Sequence, residues 1–171
     1  MLDVLAAVEA DLPALLADER SWQSLDIDYH PPRVERLWRS WGDGYRISLH
    51  RIHPCSPADA LFHPHPWPSA MRVCDGVYEM AVGYGPGSVA PPVAARMIAS
   101  GDLRYEMTDV DAWHYVRPIG GCAMTVMVTG RPWQRDAAGA EPDAPLSPLA
   151  ADRKAELLAW FRVFYASASA S

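Results

Sequence analysis

Turn signals recur every 8–12 residues between positions 34 and 128 of this 171-residue chain. Gly42-Asp43-Gly44, Asp75-Gly76 and Ser100-Gly101-Asp102 have the composition of tight hairpin turns, and Pro118-Ile119-Gly120-Gly121 separates two further runs. Between them lie short strand-like runs at 34–40, 45–53, 61–65, 70–74, 77–82, 93–99, 103–107, 113–117 and 122–128. Eight or nine short strands at this spacing predict an antiparallel sandwich or barrel.

Helical patterns flank this region. Leu2, Leu5, Val8, Leu12, Leu15 and Leu16 recur at spacings of three and four over residues 2–20. Pro13 falls inside that pattern and predicts a kink or a split. Residues 21–32 read as a connector ending at Pro31-Pro32, and 134–150, rich in Ala, Pro, Asp and Gly, as a linker. Leu157, Leu158, Phe161 and Phe164 share one side of a helix predicted over 151–165, and 167–171 read as a frayed tail. The expected division is therefore 1–32, a barrel over 33–133, and 134–171, with the flanking helices available to cover a barrel face or pair two copies in a homodimer.

Composition narrows the function classes. The net charge of −6, with no basic run, argues against sequence-independent nucleic-acid binding. There is no stretch of about 18 apolar residues, so no membrane helix is expected. Met1-Leu2-Asp3 lacks the basic start of a secretory leader. Cys55, Cys74 and Cys122 have neither CxxC spacing nor an even count, which argues against a zinc ribbon or a disulfide framework. The expectation is a cytoplasmic protein.

His63 and His65 form an HxH pair. On a strand both imidazoles would point to one face, where they suit a divalent transition metal. The longer spacing His63-x-His65-x3-Ser69-x6-Gly76 resembles the first motif of the cupin superfamily, with Ser69 where many cupins carry glutamate. Asp109, Asp111 and His114 stand where the second motif has its proline, glycine and metal-binding histidine; its asparagine is absent, and Pro118 lies four residues after His114. The resemblance covers roughly residues 33–133. It implies a mainly β, jelly-roll barrel with an internal metal held by His63, His65 and His114. Without the carboxylate ligand, the set is similar to that of cysteine-dioxygenase-type cupins, which use ferrous iron. What this implies is an Fe(II) dioxygenase acting on a small anionic substrate with dioxygen. Two alternatives stay open. One is a non-redox lyase, isomerase or hydrolase using zinc, nickel or manganese, favoured if Glu79 is a fourth ligand. The other is a barrel that only binds a small ligand.

Arg51 is the first candidate to grip a substrate anion, if residues 45, 47, 49, 51 and 53 face inward; with the opposite parity Arg51 faces out and His50 faces in. Tyr78, Tyr105 and Tyr115 are candidate phenols near the metal, or half-buried packing residues. Trp67 is placed to wall the pocket, and Trp113 to point away from it. Glu79, Asp109 and Asp111 are candidates to orient a ligand imidazole, or solvated turn residues. Cys74 and Cys122 are expected to be buried structural thiols.

Overall fold

The computed structural model describes residues 1–133 and 144–168. In chain order the elements are α1 (Leu2–Ala17), β1 (Gln23–Ile27), β2 (Val34–Trp41), β3 (Tyr45–Ile52), β4 (His63–Pro64), β5 (Ser69–Asp75), β6 (Val77–Tyr84), β7 (Ala95–Ser100), β8 (Arg104–Met107), β9 (Ala112–Pro118), β10 (Ala123–Thr129) and α2 (Ala151–Ala168). All strand pairs are antiparallel. They form a six-stranded sheet, β1-β2-β3-β10-β5-β8, and a four-stranded sheet, β4-β9-β6-β7.

The chain turns where turn composition predicts, but only Gly42-Asp43-Gly44 closes a hairpin, between the paired strands β2 and β3; Asp75-Gly76, Ser100-Gly101-Asp102 and residues 118–121 instead carry the chain from one sheet to the other, as jelly-roll connections do. Gly76 joins β5 to β6 with φ of 81°, and a Cβ there would lie 2.6 Å from the Cys122 carbonyl oxygen. Only glycine meets both conditions without strain.

The six-stranded sheet is covered on both faces, which is why all seven residues of β10 are buried. Leu37, Ile47, Leu49, Val126 and Val128 turn outward onto Leu5, Val8, Leu12 and Leu16 of α1 and onto Leu157, Leu158 and Phe161 of α2, forming one core. A second core of Val73, Tyr78, Met80, Ala99 and Ala123 fills the space between the two sheets. This is a mainly β, cupin-like jelly roll with flanking N- and C-terminal helices.

Several local expectations change. Pro13 does not split α1, which runs unbroken from Leu2 to Ala17. Within the expected connector, Gln23–Ile27 forms an edge strand paired with β2, so sheet pairing begins before residue 33. The expected tail begins inside α2, which reaches Ala168. Of the expected linker, 134–143 lies outside the described residues, while the part after it docks on β1. There the Asp26 N–H donates to the Ser147 carbonyl at 2.9 Å, and the Leu149 N–H donates to Ser24 Oγ at 3.2 Å. The 61–65 run shortens to β4, His63–Pro64.

Candidate metal centre

β4 delivers the first histidine. It pairs with β9 so that His63 stands directly opposite His114. His65 follows just after β4, close to the start of β5, where Ser69 sits. Three ligand atoms, one from each of His63, His65 and His114, lie within 4.8 Å of one another. Among the described residues this is the group of histidines, cysteines and carboxylates able to hold a metal ion.

Each ring is oriented by its surroundings. His63 Nδ1 lies 2.9 Å from the Leu61 carbonyl, which can only accept, so Nδ1 carries the proton and Nε2 keeps its lone pair. His65 Nδ1 lies 3.3 Å from Ser69 Oγ. Ser69 thus orients the His65 ring from the position where many cupins carry glutamate. The Nε2 atoms of His65 and His114 face each other at 2.6 Å, and His114 Nδ1 is buried without a hydrogen-bond partner. In neutral rings one of these nitrogens carries the N–H and the other accepts it; a metal ion would take the place of that proton.

The electrostatics favour neutral rings. Burial pushes His65 down to about 3, helped by His63 and Arg36. Burial also holds His114 well below the usual histidine range, with His65 and His63 adding to it. His63 is lowered by burial, then by His30 and Arg36, against the opposing hydrogen bond to Leu61. Neutral imidazoles with free lone pairs are the form a divalent metal requires, and this donor set fits one.

The three histidines line a cavity of about 270 Å³ inside the barrel. Trp67 lines it as expected, its ring 6.5 Å from that of His65. Across the cavity stand His50, inward as the second parity of β3 expects, and Arg36, Tyr29 and His30, which the sequence reading passed over as site residues. Arg36 on β2 donates from Nε to His50 Nε2 at 2.9 Å. The other His50 nitrogen, Nδ1, donates to Thr125 Oγ1 at 3.1 Å, because Nε2 is already an acceptor. Burial, with the Arg46 cation, pushes Arg36 down to about 10, which leaves it charged at neutral pH. Tyr29 and His30 also border the cavity.

Arg51 is on the other side of the sheet. Its guanidinium donates to Glu35 at 3.1 Å and to Glu156 of α2 at 2.8 Å. The outward parity holds for β3 because Ile47 and Leu49 join the helix-facing core, which turns His50 inward and Arg51 out. Glu35, fully buried there, also pairs with Arg153, so Arg51 serves a buried carboxylate. A wider groove of about 980 Å³ runs beside Arg51 along Trp160 and Phe164, away from the histidines.

Tyr78 and Tyr105 do not line the cavity. Their hydroxyls bond to each other at 2.8 Å and meet the Met71 sulfur, which does line it. Tyr115 donates to Glu79 at 2.7 Å on the outer face of the smaller sheet. The Tyr115 and Arg117 hydrogen bonds hold the Glu79 carboxyl below its usual range, so it is an ion-pair partner there, outside the histidine group. Asp109 caps its own turn, accepting from the Asp111 N–H at 2.8 Å. Trp113 packs on Phe62 and donates to the Gly85 carbonyl. Cys74 is buried in the helix-facing core, with burial pushing its thiol up to about 12, and Cys122 lies 3.5 Å from His53 Nδ1. No described helix is long and apolar enough to cross a membrane.

No protein-family model and no curated protein matches this chain. Solved structures do. Hydroxypropylphosphonic acid epoxidase from S. wedmorenis aligns with a TM-score of 0.52 at 14% identity over 65% of this chain and 56% of that one. A structure of Fe(II) HppE gives 0.51, again at 14% identity, over 65% and 57%. This chain thus spans little more than half the length of those enzymes. A Bacillus halodurans protein, BH2720, aligns over 88% of this chain and 91% of its own at 15% identity, with a TM-score of 0.47. At these identities the likeness is one of fold. The chain has a cupin-like fold, with three histidines gathered inside its barrel in a geometry suited to a divalent metal.

Proposed function

We propose that this chain is a metal-dependent cupin enzyme, an Fe(II) dioxygenase that oxidises a small anionic organic compound with dioxygen. The observation that carries the reading is the ligand set itself: three neutral imidazoles, with no carboxylate in the group. His63, His65 and His114 would hold the metal, which in such a site supplies an electron source and open coordination positions. Losing an anionic ligand leaves the bound metal more positive and favours anionic substrates. The structures of Fe(II) HppE concern an iron protein of similar fold, which is consistent with this choice of metal.

The chain's own residues do the rest. Leu61 and Ser69 hold two ligand rings in orientation. Met71, Val116 and Met127 keep one side of the cavity apolar and restrict water around the reacting groups. Glu79 is committed to Tyr115 and Arg117, which removes the feature that would have favoured a zinc, nickel or manganese Lewis-acid site with a fourth, anionic ligand. The test is oxygen uptake by the iron-loaded protein across small carboxylic and phosphonic acids. Substrate-dependent uptake that disappears in His114→Ala supports the reading. Iron loading without uptake on any acid, together with turnover by the zinc form, would replace it with Lewis-acid chemistry.

A further inference from the structure

The cavity holds a cation that the protein does not neutralise. Arg36 uses its Nε on His50, and among the described residues its two terminal nitrogens have no hydrogen-bond or ion-pair partner. No Asp or Glu among the described residues lines the cavity. Three other arginines of this fold are paired with carboxylates: Arg51 and Arg153 meet Glu35, and Arg72 meets Glu9. Arg36 is half-buried and its terminal nitrogens are not among the fully buried unpartnered atoms, so they are accessible to a ligand, and the field of the charge bears on His50, His63 and His65. The guanidinium is nonetheless held in place. Thr125 orients His50, and His50 accepts from Arg36 Nε, so the terminal nitrogens are fixed within the same cavity as the three histidines.

We infer that Arg36 is the anion anchor of this cavity, gripping an oxyanion of a small substrate that carries no free ammonium group. The two terminal nitrogens form the planar fork that suits a carboxylate or a phosphonate. An uncoordinated ammonium would meet Arg36 and the metal with no carboxylate among the described residues lining the cavity. His50 is a positioning residue that acts through Arg36. At about 270 Å³ the cavity lies below the usual range for drug-sized ligands, so the compound is small. This inference rests on the metal-enzyme reading for the position of the substrate's other end.

The test uses cobalt(II)-loaded full-length protein and its visible spectrum, titrated at pH 7 with four probes: 3-hydroxypropionate, 2-hydroxyethylphosphonate, 1,3-propanediol and 3-aminopropan-1-ol. In the wild type both anions should bind about ten-fold or more tighter than the diol, and the aminoalcohol most weakly. The tighter of the two anions assigns the oxyanion as carboxylate or phosphonate. Arg36→Gln should lose about ten-fold or more for the anions with cobalt occupancy and diol binding unchanged, and Arg36→Lys should recover part of the loss. Unchanged anion affinity in Arg36→Gln overturns the inference, as does an aminoalcohol that binds as tightly as 3-hydroxypropionate. The ranking of probes in the wild type needs no variant, so it stands even if Arg36→Gln fails to fold. If the wild type takes up no cobalt, the metal reading fails on its own. The anchor is then read in metal-free protein as a rise in Tm with 3-hydroxypropionate that Arg36→Gln abolishes; no rise overturns it.

Discussion

At the residue scale, the decisive property is that buried imidazoles remain neutral. His63→Ala, His65→Ala and His114→Ala should each lose most bound metal while the protein still folds, whereas Glu79→Gln should retain it; metal analysis of the four purified variants checks this. The same burial makes the metal-free fold sensitive to acid. The folded-state pKa values of His50, His65 and His114 all lie below the ordinary 6.5, so the unfolded chain takes up protons first as pH falls. Stability from these groups is therefore complete above about 6.5 and declines below it, toward about 3 for His65. Urea midpoints of metal-free protein should drop between pH 7 and pH 5, and a flat profile would mean that these rings are not buried neutral.

At the element scale, the helices matter as much as the strands. α1 places Leu5, Val8, Leu12 and Leu16 against the six-stranded sheet, with Leu12 fully buried. Leu12→Ala should cost about 2–5 kcal/mol, read as a shift in the denaturation midpoint, without changing which metal binds. The turns were legible because glycine and aspartate mark them through local backbone preference, as at Asp75-Gly76, but which strands pair across them was not, since β5 and β6 belong to different sheets. β1 was not, because Gln-Ser-Leu-Asp-Ile becomes a strand only through its pairing with β2. The parity of β3 was ambiguous for a different reason. Both faces of that strand are covered, so Ile47 and Leu49 could have pointed into the barrel or toward the helices. That ambiguity left Arg51 and His50 as alternatives for the inward position, and the packing of the helices decides for His50. His63 and His65 stood out because their HxH spacing is a local feature, and His114 through the resemblance to a second cupin motif; Arg36 did not, because its place depends on a cavity built from distant strands.

At the scale of the whole molecule, a mainly β barrel is backed by two helices on one sheet and keeps a small cavity at its histidines. The two sides of the six-stranded sheet divide the labour. The helix-facing side carries the larger core and the Glu35 ion pairs, and the barrel-facing side carries Arg36, His50 and the approach to the metal site. On the proposed reading this barrel is built around a metal. The most direct test of that reading is the metal content of untagged protein purified without oxygen, by mass spectrometry, for wild type and His114→Ala. Near-stoichiometric iron is expected in the wild type and its loss in the variant. A wild type that holds no metal even after reconstitution with Fe(II) would contradict the reading.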